Sequence, residues 1–593
     1  MNHSRRLVTL PAMSMTKDEV SAVLEAITQL LELKGENPFK IRAYQNAARA
    51  VETYSGNLET AAKEGRLTEI PGIGAAIAEK IALLVQTGQL PYYEELKAEF
   101  PPGIFEMFEL MGLGPKKIRA IYDKLGISSL EGLEAACKDG RVAGLSGFGA
   151  KTACNILQSI EQRHSVAGSF RLGTVAESAQ AIYDDLRTLP EISQLAIGGS
   201  YRRRKEVVHD LDFVVASSHP ENVTAFFTTH PLVESVIASG ATKSSVRLKG
   251  GLQADLRVVS NEQYPFALNY FTGSKEHNIV LRGRALQHGW SLNEYRLSPV
   301  EGGRVKPEPI PAIVEERQLY RALGLDYVEP ELRENLGEIA AAEAHTLPDL
   351  IELENLRGTF HCHTTASDGH NSLEEMANAA RDLGLQYLGI ADHSKSSFQA
   401  HGLDEARLRE QIEAIERLNA TYEDGFRLFS GVECDILKDG SLDFSDEILS
   451  RLDYVVASVH SVFNLPEAEM TGRIIKAISN PNVTMLGHLT GRLLLTRKSY
   501  ALDIPAVIEA AAQTGTIIEL NGNPARLDMD WRWWPLAKAK GVRCAINPDA
   551  HSIDGFKHLW FGVAAARKGW LTRRDVVNTL PLGKIEGVLA AKR

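Results

Sequence analysis

The sequence predicts a multidomain chain with an α-helical N-terminal region, an α+β middle and a C-terminal distorted βα-barrel. Three observations carry that reading. At 593 residues the chain exceeds what one hydrophobic core supports. From about Lys17 to Thr87 apolar residues recur at three- and four-residue spacing, and short glycine-punctuated helices continue to about His164. From Arg357 onward, β-like runs such as YLGIADHS, YVVASVHS and TIIELN alternate with helical stretches such as LEEMANAARDLG. That rhythm belongs to βα units around a parallel sheet.

Composition is that of an ordinary globular protein, 44% hydrophobic and 24% charged. The five cysteines, Cys137, Cys154, Cys362, Cys434 and Cys544, are scattered without a CxxC pair, which excludes a thiolate zinc ribbon and fits a reducing, cytoplasmic setting. No long transmembrane run is present, and the N-terminal segment lacks the apolar stretch of a secretion signal. The formal charge of −11 does not decide nucleic-acid binding, because local patches do.

Within the helical region a single element recurs. IPGIGAAIAEKI, MGLGPKKIRAI and LSGFGAKTACNIL each join a Gly-x-Gly turn to a helix, through Gly72 and Gly74, Gly112 and Gly114 with Lys116, and Gly147 and Gly149. Such turns point backbone N–H groups outward at a helix N-terminus, where a phosphate is held without reading bases. They resemble helix-hairpin-helix motifs. Lys80, on the first of these helices, offers an amine for Schiff-base chemistry.

The middle opens near Val175 with short Val-, Leu- and Ile-rich strands. HDLDFVVAS puts Asp210 and Asp212 on one strand face, and QADLRVVS adds Asp255. Three converging carboxylates repel unless cations lie between them, and hard oxygen ligands suit Mg²⁺ or Mn²⁺. Gly199 and Ser200, followed by Arg202 and Arg203, supply donors for a triphosphate. Downstream, YFTGS (Tyr270, Phe271 and Gly273 within it) precedes Asn278 and Arg282, one helical turn apart.

This constellation resembles the family X DNA polymerases, relatives of DNA polymerase beta, over residues 17–327. The resemblance implies a lyase-like helical domain (1–90), helix-hairpin-helix fingers (91–170), a nucleotidyltransferase-like palm (171–262) and a thumb (263–327). It implies that Asp210, Asp212 and Asp255 bind two metals and that Asp255 takes the primer hydroxyl proton. Ser200 and Arg203 would hold the triphosphate, Tyr270 and Phe271 line the sugar pocket, Asn278 meet the base edge and Arg282 the template side. Lys80 aligns with the lyase nucleophile, flanked by Lys40 and Tyr44. Where relatives carry glycine this chain has Arg204 and His209, which predicts a strained hairpin if either takes a positive φ. Where they often carry lysine it has Ala76.

Residues 328–356, acidic and proline-containing, read as a linker, and residues 357–593 as the barrel. The segment FHCHTTASDGH crowds three histidines and Asp368 together. On a strand, side chains alternate, so His361 and His363 project to one side about 6.6–7 Å apart at their roots, with Cys362 turned into the core. His393, Glu433, His460, His488, Asp549 and His551 each end a later apolar run, and strand ends of a βα-barrel converge on one face. Imidazoles and carboxylates together suit Mn²⁺, Zn²⁺ or Fe²⁺. This arrangement resembles the polymerase and histidinol phosphatase (PHP) domain, a distorted seven-stranded barrel.

That resemblance implies up to three Mn²⁺ or Zn²⁺ ions: one on His361, His363, Glu433 and Asp549, a second on Glu433, His460 and His488, a third on Asp368, His393 and His551. His370 reads as a substrate or surface histidine. Arg492 and Arg526 read equally as phosphate clamps or ordinary salt-bridge partners. Joined, the halves resemble the bacterial and archaeal branch of family X, PolX. The implied function is gap filling in base-excision repair from dNTPs on gapped or nicked DNA, with a metal-dependent 3′→5′ exonuclease that extends to abasic-site incision or 3′-phosphate removal, in a monomer without a membrane partner. The alternative is a PHP nuclease or phosphatase whose weak polymerase half serves as a DNA-binding module.

Overall fold

The helical N-terminal region buries the stripe that its periodicity marks. Lys17–Lys34 turns Val20, Leu24, Ile27 and Leu31 inward, and Pro38–Glu52 answers with Tyr44, Ala47, Ala48 and Val51. The computed structural model describes residues 15, 17–52, 54, 58–108, 110, 113–300 and 305–591. Residues up to Ala167 form one compact unit with its own core, and Gly168–Arg593 form the other. The second glycine of each repeat stands at a helix start: Gly74 caps Ala75–Thr87, Gly114 caps Pro115–Leu125, and Gly149 precedes Ala150–Val166. Gly72 and Gly149 take φ of +98° and +101°, which a side chain would strain. Gly112 lies outside the described residues.

In the second unit a five-stranded sheet runs Ile192–Ile197, Asp210–Ser217, Gln253–Val259, Lys243–Leu248, Val233–Ser239. Its two central strands are parallel, with Asp210 opposite Gln253 and Asp212 opposite Asp255. Phe213, Val215, Leu256 and Val258 pack on the opposite side from the aspartates or further along, in a core shared with Leu172–Arg187.

The segment read as a linker is packed instead. Val328, Leu332, Ala342 and Leu350 enter one core with Leu281, Trp290, Leu319 and Tyr320. Several of its charged residues are spent inside: Arg333 is fully buried, with Nη1 2.6 Å from Glu316, and Glu338 accepts from His277 at 2.7 Å. Composition misleads because these ions pair with one another rather than face water. Burial opposes ionisation of Glu316, but Arg333 and Arg202 outweigh it and hold the carboxyl down to about 2. Its contribution to stability is therefore complete above the ordinary carboxylate value of 4.5 and disappears as pH falls towards 2. Glu316→Ala strands two guanidinium groups and is expected to destabilise the second unit by about 3–5 kcal/mol. Urea unfolding of wild type and variant measures this, and a change below about 1 kcal/mol contradicts it.

The two sheets of the C-terminal domain are parallel. Gly358–Cys362, Tyr387–Ile390 and Arg427–Ser430 form one sheet; Glu433–Asp435, Val456–Ser458, Met485–Leu486, Ile517–Asn521 and Cys544–Asn547 form another. Parallel bridges Cys362–Ala550 and His393–Glu433 join the sheets. Because only Gly431 and Val432 separate the third and fourth strands, the ring has seven β segments with one interrupted. Phe360, Tyr387, Phe429 and Tyr454 fill its interior.

Candidate active sites

All nine candidate ligands of the barrel gather at one end. His361 lies in Gly358–Cys362, His393 follows Tyr387–Ile390, and Glu433 follows the break after Arg427–Ser430. His460, His488 and the Asp549–His551 pair follow the next strands. The delivery of the first two histidines differs from plain alternation. The strand register shifts between Thr359 and Cys362, and His361 takes φ of +56°. A bulge therefore turns His361 towards His363, with ring centroids 5.3 Å apart. Asp549 also takes a positive φ, +50°. Such conformations cost about 1–3 kcal/mol each and persist where surroundings over-determine them.

Glu433 is the hub. Its Oε1 lies 3.2 Å from His361 Nε2, 3.2 Å from His460 Nε2 and 2.9 Å from His488 Nε2, while Oε2 lies 2.9 Å from His393 Nδ1. Asp549 Oδ1 is 3.3 Å from His363 Nε2, and Asp368 is 3.4 Å from His551 Nε2 and 3.5 Å from His393 Nε2. Donor atoms within 4.8 Å of one another form four overlapping sets: His363, Asp368, His393, His551; His361, His363, Glu433; His361, His488, Asp549; and His393, Glu433, His460. The partition differs from the expected one in detail, since His363 joins the Asp368 set, His488 groups with His361 and Asp549, and His393 stands in its place beside Glu433 and His460.

The outer nitrogens explain why this cluster suits cations. His361 Nδ1 is 2.5 Å from Glu519, His460 Nδ1 3.0 Å from Asp435, and His551 Nδ1 3.1 Å from the Asp549 carbonyl. With the proton held outside, each Nε2 turns a lone pair towards a carboxylate. His361 Nε2 and both nitrogens of His363 are buried without a directed hydrogen bond. Lone pairs facing carboxylates in a dry pocket are stable only around positive charge. Without ions, protons provide it: burial opposes them, yet Glu433 and Asp435 push His460 up to about 10, and Asp368 and Asp549 push His551 up to about 9. Burial, then His551 and His393, instead push His363 down to about 4.

Sequence reasoning missed the supports. Glu519 receives His361 and also the His488 backbone N–H at 3.0 Å, with Asn521 and Asn547 amides on its oxygens. Asp392, beside His393, accepts from the Thr364 backbone and hydroxyl and from Ser367. Glu519 was legible as an inward position of TIIELN, two residues before Asn521. Arg526 reaches Asp549 at 3.4 Å from the rim, whereas Arg492 is consumed by Asp530 at 2.6 Å and by the Arg526 and Leu527 carbonyls. His370 donates its backbone N–H to the His551 carbonyl at 2.6 Å.

A second centre lies on the mixed sheet. Asp210 and Asp212 share a strand face, and Asp212 pairs in register with Asp255. Burial first, then Asp210 and Asp255, push Asp212 up to about 7; burial and Asp255 raise Asp210. Carboxylates crowded on one sheet face in this way fit hard divalent cations. Gly199 takes φ of +60°, and a Cβ there would meet Asp212 Oδ2 at 2.5 Å, so the turn needs glycine twice over. Ser200 is half-buried in the short Gly199–Arg202 helix. The two arginines have separate roles. Arg202 binds Glu316 at 2.7 Å and is structural, whereas Arg203 is held by Glu334 at 3.0 Å and by the Thr272 carbonyl. Gly273 leaves room for that guanidinium, since a Cβ would lie 2.9 Å from its Nη1.

Tyr270 and Phe271 meet edge to face at 5.2 Å, Asn278 donates to the Tyr270 carbonyl at 2.8 Å, and Arg282 donates to the Asn278 carbonyl at 3.3 Å. Of the two departures from glycine, Arg204 takes φ of +55° and His209 does not take a positive φ. The strain is offset by the Arg204 guanidinium stacking 4.3 Å above Trp560. In the helical unit, Lys40 and Lys80 lie 5.6 and 5.2 Å above the Tyr92 ring, and Tyr44 stacks on it at 6.0 Å. Tyr92, against which all three side chains pack, escaped the sequence reading. Lys116 stands in the first turn of Pro115–Leu125.

Four known domain families match stretches of the chain. The helix-hairpin-helix domain family matches residues 15–90, and the SAM-like helix-hairpin-helix tandem family residues 106–162. The DNA polymerase beta thumb family matches residues 267–334, and the PHP domain family residues 359–522. The thumb match runs past Tyr327 to Glu334, in keeping with the packing of that segment. A probable phosphatase of Thermoanaerobacter sp. (strain X514) is 32% identical over 39% of this chain and 94% of its own length. The DNA polymerase/3′-5′ exonuclease PolX of Bacillus subtilis (strain 168) is 39% identical over 97% of this chain and 99% of its own. At that identity and coverage, with the same domain families in order along it, the chain belongs to the PolX family.

Proposed function

We propose that this chain fills short gaps in DNA by nucleotidyl transfer at the aspartate centre and hydrolyses 3′-terminal phosphodiesters at the barrel centre. The observation that carries the reading is the presence, in one PolX chain, of two separated sets of cation-demanding groups, Asp210–Asp212–Asp255 and the nine-residue cluster around Glu433. Divalent ions, Mg²⁺ or Mn²⁺ in the first and Mn²⁺ or Zn²⁺ in the second, supply Lewis acidity and a hydroxide nucleophile when bound. Asp255 accepts the primer hydroxyl proton, Ser200 and Arg203 hold the triphosphate of a dNTP, and Tyr270 and Phe271 shape the sugar pocket. Asn278 and Arg282 meet the nascent pair. At the barrel, Arg526 stands at the rim to receive a phosphate. The hairpin glycines and Lys116 grip the backbone of gapped or nicked DNA, and the protein works as a cytoplasmic monomer. No helix among the described residues is long and apolar enough to cross a membrane.

A labelled gapped duplex, incubated with and without dNTPs across Mg²⁺, Mn²⁺ and Zn²⁺, tests both chemistries together. Extension with dNTPs and shortening without them is expected; shortening alone favours a hydrolase with a DNA-binding polymerase half, a reading to which the phosphatase match gives weight. We further propose that Lys80 opens abasic sugars. Borohydride is expected to trap wild-type protein on a 5′-deoxyribose phosphate end and to trap Lys80→Ala at least about tenfold less; equal trapping rejects the role.

A further inference from the structure

The helix His558–Lys568 belongs to the hydrolase barrel, yet its side chains run under the nucleotide hairpin of the sheet. Trp560 lies beneath Arg204, Trp560 and Phe561 pack against the palm core, and Arg567 binds Glu331 at 2.8 Å. At its end Lys568 is buried, its side chain 0% exposed. All three ammonium protons have acceptors: Glu334 Oε1 at 2.5 Å, the Arg203 carbonyl at 3.1 Å and the Glu331 carbonyl at 3.3 Å. The ammonium also lies 4.6 Å over the Trp531 ring.

One oxygen is thus shared by two cations, because Glu334 Oε1 also accepts from Arg203 Nε at 3.0 Å. If Glu334 faced Arg203 alone, the pair would be neutral and Arg203 would offer a phosphate little charge. With Lys568 taking a share of that carboxylate, the triad keeps a net positive charge. Arg203, fixed by Glu334 and the Thr272 carbonyl, keeps its orientation. Neither the mechanism of hydrolysis nor that of transfer otherwise uses Lys568.

We propose that Lys568 of the PHP barrel is a positioning residue for nucleotide binding, acting through Glu334 to keep Arg203 oriented and electropositive. The proposal rests on the reading that Arg203 holds the triphosphate. Lys568→Met in the full chain is expected to raise KM for the incoming dNTP about tenfold in gap filling, with kcat and single-strand exonuclease rates within about twofold. Lys568→Met/Glu334→Gln, which removes the unmatched carboxylate as well, is expected to bring KM back to within about threefold of wild type. Arg203→Ala separates the two claims. If it leaves KM unchanged, the reading of Arg203 fails; if it raises KM while Lys568→Met does not, the role of Lys568 fails. A double variant with exonuclease activity but a KM as high as the single variant also overturns the proposal. So does a double variant lacking both activities, which assigns Lys568 to folding.

Discussion

Glu433→Gln is expected to lower hydrolysis of single-stranded DNA 3′ ends by about 10³-fold or more while gap filling stays within about twofold, because several kcal/mol of charge stabilisation is lost. The carboxylate is 1% exposed and touches four imidazoles at 2.9–3.2 Å. Burial works against its ionisation, yet His361, His460 and His393 hold it well below the ordinary carboxylate range. Glutamine keeps the volume but removes the negative charge, and its amide cannot bridge two cations. Metal content measured on dialysed protein should fall together with activity. Hydrolysis within tenfold of wild type, at equal metal content, would remove Glu433 from the centre of the reaction.

The second large effect concerns the sheet. Asp255→Asn is expected to cut nucleotidyl transfer by about 10³-fold or more with exonuclease unchanged, since one acceptor is lost both to a cation and to the primer hydroxyl proton. The Gln253 amide spans both Asp255 oxygens at 3.2 Å, and Asp212 stands beside it in register. Primer extension on a one-nucleotide gap, with nucleotide saturating, gives kcat directly. Retention of more than a tenth of the wild-type rate would mean that another group takes the proton.

The two experiments together measure how independent the centres are. What the sequence made legible were features that chemistry forces into local runs. Glycine turns at helix starts, Asp-x-Asp on a strand and histidines after apolar runs are short-range patterns, and each points to the place where the structure puts it. Interactions spread across hundreds of residues were not legible. Arg202 and Arg203 are adjacent and chemically identical, yet one is spent on Glu316 and the other faces Glu334. The acidic stretch at 328–356 looked solvated because its partners, Arg203, His277, Arg567 and Lys568, lie elsewhere in the chain. The bulge at His361 was hidden for the opposite reason: a period-two pattern was present, but a register shift overrode it. Asp435, which holds the outer nitrogen of His460, was masked by sitting inside an ordinary strand sequence, whereas the alternation of TIIELN left a signal for Glu519.

The fixation of Arg567 and Lys568 in the thumb has an evolutionary corollary. Excising the barrel gene segment would leave Glu331 without Arg567, Glu334 neutralising Arg203 alone, and Arg204 without its stacking ring. A lineage that stops needing the hydrolase therefore has a cheaper route than deletion: point decay of the histidines, with the scaffold retained. Descendants of this architecture should carry silent barrels more often than truncated ones.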